Sequence, residues 1–375
     1  MPKIVIENLT KKFGKFTAVN DLNMIIDDRA FVTLLGPSGC GKTTVLRMIA
    51  GLTEPTTGRI TIGDTVVFDS ETGVNITPDK RDVGFLFQNY ALWPHMTVYQ
   101  NISFGLVNLK WTKDDIEKRV QELLDLLKIS DLGKRYPSEL SGGQQQRVAI
   151  ARTLAPHPKI LFMDEPLSNL DAKLRLEMRT ELKRLHADTN ATFVYVTHDQ
   201  LEAMTLATKI CLMNKGEIEQ YDTPLHTYAH PVSIFSADFI GNPTINFIES
   251  ELIENKGKYQ VKLGSLHYDF IPIEKDKKIE SQPVKLGIRP EHIKIVDKGL
   301  KGQVYSSLPS GMETILLIKF EEIILTAVVF GIIDFPFNSD VNFTIDTDNI
   351  IIFDVENEKN ILEGKINLGE KTKWN

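Results

Sequence analysis

Apolar residues in the first part of the chain fall into short unbroken runs. Phe31–Leu35, Val83–Phe87, Lys159–Met163 and Thr192–Thr197 have the pattern of strands buried on both faces of a parallel sheet. Between them lie stretches of helical spacing. Thr44–Ala50 forms one, and Lys173–His186 another. Ile116, Val120, Leu123, Leu124 and Leu127 share one helical face behind Thr112-Lys113-Asp114-Asp115, which has capping-box spacing. Val98–Arg135 is thus expected to be a helical segment inserted into an α/β domain. A further helix opens at Ser141-Gly142-Gly143 and runs to about Ala155, where Pro156 stops it. Ile4–Leu9, Val19–Ile26 and Arg59–Phe68 read as strands. Lys209–Asn214 and Glu217–Tyr221 read as a hairpin, and Tyr228–Ile240 as a helix ending at Gly241.

The texture changes near Asn246. Short β-like segments follow at close spacing: 246–248, 259–261, 266–271, 284–288, 315–320, 323–329 and 350–353. They predict a small all-β barrel. The expected division is 1–240 for the α/β domain, with a helical subdomain at about 95–150, and 241–375 for the barrel. His267, His292 and the scattered carboxylates of the second part lack metal-ligand spacing.

Composition narrows the field. With 375 residues, 42% hydrophobic and 25% charged, the chain is that of a soluble globular protein of two or three domains. A net charge of −7 and a pI near 5.7 argue against nucleic acid as the main partner. Two cysteines, Cys40 and Cys211, sit in a loop and an apolar run, which fits a reducing compartment better than a disulfide. The N-terminus lacks a signal-peptide pattern, and apolar runs such as Ile323–Ile333 are too short to span a bilayer.

The chemistry centres on Gly36-Pro37-Ser38-Gly39-Cys40-Gly41-Lys42-Thr43. Glycines at these positions allow a tight turn whose N–H groups point inward at phosphate oxygens. Lys42 adds a mobile charge for the β- and γ-phosphates, and the Thr43 hydroxyl suits Mg²⁺. A strand precedes the loop and a helix beginning at Thr44 follows it, as a phosphate site requires. Asp164 and Glu165 end another strand, where ligands of open parallel sheets bind; Asp164 would reach the metal and Glu165 the attacking water. Gln88 and His198 also end strands, so four polar groups converge. Ser141-Gly142-Gly143 is a second glycine-flanked helix start, open to two readings: an anion site or ordinary capping. Phe13 is either a core ring or a platform for a purine. Asn89–Met96, rich in aromatics, either packs on its neighbour or offers an interaction surface.

At Leu140–Arg147 the ordered set becomes specific, and the chain resembles the ATP-binding subunits of ABC transporters. Phe13 matches the aromatic A-loop, Gly36–Thr43 Walker A, and Gln88 the Q-loop. Leu140-Ser141-Gly142-Gly143-Gln144 matches the signature, Ile160–Glu165 Walker B, Ser168–Asp171 the D-loop, and His198 the switch histidine. Gln88–Pro94 with Thr97-Val98 is similar to importer subunits. Gly241-Asn242-Pro243-Thr244-Ile245-Asn246-Phe247 and Gly287-Ile288-Arg289-Pro290-Glu291 look like the OB-like TOBE region of the carbohydrate-importer branch. Asp28-Arg29-Ala30 departs from the family's usual Asp-Gly-Glu turn.

The resemblance implies a P-loop NTPase of RecA-like core with an inserted helical subdomain, joined to an OB-like barrel. It implies ATP and Mg²⁺ as cofactors, and a homodimer with each ATP between Walker A of one subunit and Ser141–Gln144 of the other. ATP contacts are expected from Phe13, Gly36–Thr44, Ser141–Gln144 and Asp171; metal contacts from Thr43, Asp164 and Gln88; catalysis from Glu165, His198, Gln88 and Lys42. Partners would be two integral-membrane permeases, indirectly an extracytoplasmic solute-binding protein, and a regulatory protein or ligand at the barrel. The expected place is the cytoplasmic face of the membrane, with sugar as cargo. Competing cargoes are polyamine, iron, sulfate and glycerol phosphate. Two other readings are a soluble ABC ATPase acting on nucleic acid or ribosomes, and a regulator that binds nucleotide without hydrolysis; intact Glu165 and His198 oppose the second.

Overall fold

The structure is a computed structural model describing residues 2–274, 278–346 and 349–367. The chain divides into two compact units, Met1–Leu225 and His226–Asn375.

In the first unit β1 (Ile4–Phe13) and β2 (Phe16–Ile26) form a hairpin, and β3 (Phe31–Leu35) leads to α1 (Lys42–Ala50). β4 (Thr57–Ile62), β5 (Thr65–Asp69) and β6 (Val74–Asn75) follow, then β7 (Val83–Leu86). The 59–68 stretch, expected as one strand, is a hairpin because Gly63 takes φ 60° and turns the chain. α2 (Val98–Asn108), α3 (Lys113–Leu126) and α4 (Gly142–Leu154) form the helical part. β8 (Ile160–Asp164), α5 (Ala172–Thr189), β9 (Thr192–Val196), α6 (Gln200–Leu206), β10 (Lys209–Asn214) and β11 (Glu217–Asp222) complete the unit.

One sheet has the order β11-β10-β3-β9-β8-β7, parallel from β10 to β7. Its strands were legible as apolar runs because both faces are covered. Alternation splits them between two cores. Phe31, Leu161, Met163, Phe193 and Tyr195 face the helical part and α5. Val32, Leu34, Phe162, Val194 and Val196 face α1 and the antiparallel sheet β2-β1-β4-β5-β6. Buried Arg81 ties the end of α1 to that sheet, donating to the carbonyls of Met48 (3.0 Å), Ile49 (2.8 Å) and Ile76 (2.8 Å). Arg29 occupies its turn at φ 58°, a left-handed conformation that glycine would take without strain.

α7 (Pro224–Ala229) and α8 (Ile234–Phe239) replace the continuous helix expected over 228–240, since Pro231 between them cannot donate to a helical ladder. The second unit then has β12 (Asn246–Asn255), β13 (Lys258–Leu263), β14 (Leu266–Pro272), β15 (Gln282–Ile288), β16 (Ile293–Pro309), β17 (Glu313–Phe320), β18 (Ile323–Phe330), β19 (Asp340–Ile345), β20 (Ile350–Asp354) and β21 (Asn360–Asn367). β12-β13-β14-β21-β20-β15 close a barrel, and β18-β17-β16-β19 form a separate four-stranded sheet, so the expected single barrel is a barrel plus a sheet. Both share one apolar core.

The division after Leu225 differs from the 240/241 boundary expected from residue pattern. Arg289, only 3% exposed, accounts for it: its guanidinium donates to the carbonyls of Tyr228, Ala237 and Ile240 and lies 4.1 Å from the Tyr228 ring. Helices 226–240 therefore belong with the barrel. A Cβ at Gly241 (φ 126°) would fall 2.7 Å from Arg289 Nη1, so a glycine keeps this contact open. Asn246 bonds Ile288 and Thr326 across both sheets. The two recognised motifs of this unit thus carry its internal framework.

Candidate nucleotide site

The loop 36–43 lies between β3 and α1, at the carboxyl end of a strand flanked by β9 and β10. Its three glycines have different jobs. A Cβ at Gly36 would fall 2.3 Å from the Met213 carbonyl oxygen, and one at Gly41 2.5 Å from that of Ala18. Those two are needed where other backbone approaches. Gly39 (φ 82°) faces open space, the side a phosphate could approach. α1 starts at Lys42, so the amides of its first turn point into the loop, with Ser38, Thr44 and the turn at Pro37 around them.

Lys42 is buried, and its ammonium donates to the carbonyls of Gly36 (2.8 Å) and Pro37 (2.9 Å). Cys40 Sγ lies 3.8 Å from that ammonium, but burial outweighs it and pushes the thiol's pKa up. Cys40 is therefore a poor nucleophile. Cys211 is also a free, buried thiol, as expected.

β8 carries Asp164 to the same end of the sheet. The Thr43 hydroxyl donates to Asp164 Oδ1 at 2.8 Å, joining two of the three expected metal residues. Arg47, one turn along α1, reaches Asp164 Oδ2 at 3.3 Å. Sequence reading did not single out Arg47; its i+4 spacing from Thr43 was the available signal. Glu165 follows in a left-handed conformation (φ 45°), fixed because its amide donates to Val196 O and its carbonyl accepts from the Ser168 hydroxyl. The kink turns its carboxylate toward His198, whose Nδ1 lies 3.4 Å from Oε2. Gln88 goes elsewhere than to the metal pair: its amide donates to Ser168 Oγ at 3.4 Å.

Phe13 is 53% exposed at the tip of the β1–β2 hairpin, which removes the core reading. Phe16, also missed, stands across from it at 60% exposure. Ser141 and Gln144 form a reciprocal capping box at the start of α4. A Cβ at Gly143 would fall 2.5 Å from Leu174, whereas one at Gly142 would have only Leu170 near it, at 3.9 Å. Asp171 caps α5 through the Leu174 amide.

The aromatic loop after Gln88 is anchored inward through Tyr90 and Trp93, while Asn89, Ala91, Pro94 and His95 are exposed. Tyr90 is buried, and the Trp93 ring lies 4.3 Å from that of Phe104. Tyr90 and Ala91 both take positive φ, and Arg152 from α4 holds their carbonyls at 2.7 and 2.6 Å. Among the described residues no cluster of three His, Cys, Asp or Glu could hold a metal alone. The oxygen pair Thr43–Asp164 suits Mg²⁺, which ordinarily takes one or two protein oxygens and completes its shell with phosphate and water.

No described helix is long and apolar enough to cross a membrane. The profile of the ABC transporter family matches residues 19–168, and that of the MalK OB fold domain matches residues 241–293. An sn-glycerol-3-phosphate import ATP-binding protein of Psychromonas ingrahamii is 48% identical, covering 80% of this chain and 76% of its own. A trehalose/maltose import ATP-binding protein of Thermococcus litoralis is 45% identical over 78% of this chain and 79% of its own. A solved dimeric ATP-binding cassette in a post-hydrolysis state with ADP and phosphate covers 59% of this chain and 98% of its own, with 33% identity and a TM-score of 0.52. The chain belongs to the ATP-binding proteins of ABC transporters, and is an ABC ATPase with a MalK-type OB-fold domain.

Proposed function

We propose that this ATPase powers an importer, and that its cargo is a sugar or sugar-like solute. The observation that carries the site assignment is the gathering of Lys42, Thr43, Asp164, Glu165 and His198 at the carboxyl ends of neighbouring parallel strands. Lys42 exchanges its carbonyl partners for the β- and γ-phosphates of ATP, and the amides of loop 36–44 hold the remaining oxygens. Thr43 and Asp164 would hold Mg²⁺, which neutralises developing phosphate charge. Glu165 takes a proton from water as its oxygen attacks the γ-phosphorus, and the bond to the ADP oxygen breaks. His198 orients Glu165 and the γ-phosphate. Gln88, beside Ser168, reports on the site to the permease-facing loop.

Ser141-Gly142-Gly143 of a second copy completes each site, with Asp171 at the seam and Phe13 against the base. The Ser141 hydroxyl caps the helix start by accepting from the Gln144 amide, and Gly142 beside it has open space for such an approach. Closing on two ATP and opening after hydrolysis is a population shift that two permeases convert into transport. The protein works on the cytoplasmic face of the membrane, and an external solute-binding protein delivers cargo. The second unit is the place for a regulatory protein or ligand, and nucleic acid is not a partner. Relatives named for trehalose/maltose and for sn-glycerol 3-phosphate favour hydroxyl-rich solutes over polyamine, iron or sulfate.

Affinity capture of the tagged chain from detergent-solubilised membranes tests the reading. Two polytopic proteins and a sugar-binding protein are the expected companions. Ribosomes or nucleic acid without membrane proteins would overturn it.

A further inference from the structure

Asp164 is 3% exposed and ends a central strand, yet both its carboxylate oxygens have partners within the chain. Oδ1 accepts from Thr43 at 2.8 Å, and Oδ2 is paired with Arg47 Nη2 at 3.3 Å. Thr43 and Arg47 are four residues apart on α1, so one helical face presents both to the same carboxylate. The two differ in freedom. Thr43 is short, whereas the Arg47 side chain is 48% exposed and has water to move into. Its backbone is anchored, because the Arg47 carbonyl accepts from the amides of Leu52 and Thr53 at the end of α1. A fixed base with a mobile charged tip is the form of a retractable counter-ion.

A buried carboxylate without a cation is costly, and a positive charge placed on it competes with any other cation. We propose that Arg47 is the resident counter-cation of the Asp164 metal position: it holds Asp164 until the divalent ion arrives with nucleotide, and swings outward when the ion binds. Arg47 is a positioning residue in this account. It makes metal binding by the protein alone weak, so that the ion enters as a complex with ATP. The inference rests on Thr43 and Asp164 being the metal position.

The test is Mn²⁺ binding to the purified full chain, read from loss of the free-ion EPR signal without nucleotide. Arg47→Met and Arg47→Gln, which remove the charge from a half-exposed side chain, are expected to bind Mn²⁺ about tenfold more tightly than the parent protein. Arg47→Lys keeps a cation and is expected to stay close to the parent. Asp164→Asn in the Arg47→Met background is expected to abolish the gain. Equal Mn²⁺ affinity in the parent, Met and Gln proteins would overturn the role of Arg47. Asp164→Asn that holds Mn²⁺ with ATP as well as the parent does would instead overturn the metal position, and the proposal with it.

Discussion

The imidazole Nδ1 of His198 lies 3.4 Å from Oε2 of Glu165, although the two residues follow different strands, β9 and β8. The left-handed backbone at Glu165 makes this possible by turning the chain sharply where the strand stops. A base oriented by a histidine is expected to lose turnover and keep binding when its charge is removed. Glu165→Gln is predicted to bind ATP normally and to hydrolyse it about 10²–10⁴-fold more slowly. Single-turnover hydrolysis alongside equilibrium nucleotide binding checks this; near-normal hydrolysis would refute the assignment.

Lys42 already sits among oxygens, those of Gly36 and Pro37. Its ammonium is therefore poised to exchange neutral acceptors for charged phosphate, a stronger hydrogen bond. Lys42→Ala is predicted to weaken ATP affinity by about 10–100-fold, in line with one charged hydrogen bond. Calorimetry on the full chain would measure it, and unchanged affinity would remove Lys42 from the site.

At the start of α4, Gly142 has space where Gly143 does not. Bulk beside it would block whatever approaches that helix start. Ser141→Arg is predicted to leave binding of ATP to the monomer intact while turnover loses its dependence on protein concentration and falls to background. Turnover that persists in Ser141→Arg at the parent's level would overturn the composite site built from Ser141–Gly143 of a second copy.

Glu202 accepts hydrogen bonds from the hydroxyls of Tyr195 (2.8 Å) and Thr197 (2.7 Å) at the back of β9. Burial raises its pKa above the ordinary 4.5, against the lowering effect of those bonds. The folded state thus keeps a proton that the unfolded state has lost, so this group's contribution to stability falls as pH rises from its unfolded value through its folded one. Glu202→Gln cannot ionise. The stability difference, variant minus parent, is predicted to move in favour of the variant as pH rises above the ordinary glutamate value of 4.5. Urea unfolding across that range measures it, and a flat difference would contradict the sign.

In the second unit, Arg289→Met would strip the carbonyls of Tyr228, Ala237 and Ile240 of their donor in a buried setting. A loss of about 3 kcal/mol or more in the stability of that unit is predicted. Denaturant unfolding followed in residues 226–375 by hydrogen exchange would register it; a change under about 0.5 kcal/mol, the scale of an ordinary surface substitution, would mean the contacts carry little.

Residue order alone determined much of this protein. The strands of the parallel sheet are mostly apolar because both faces are covered, and runs such as Ile160–Met163 divide their side chains between two cores. The loop 36–43 and the Asp164-Glu165 pair are local in sequence, and their chemistry follows from residue type. Tertiary structure decided what depends on partners distant along the chain. Arg47 becomes part of the site only because β8 brings Asp164 within 3.3 Å of it. Gln88 meets Ser168 rather than the Thr43–Asp164 pair, since the backbone after Leu86 leads it to the loop beyond Glu165. The extent of the second unit was hidden for the same reason: Arg289 binds the backbone of helices some fifty residues earlier, a contact with no period and no local motif. Local pattern follows from solvent on one side and neighbours along the chain, whereas these pairings follow from chain closure, which no window of sequence contains.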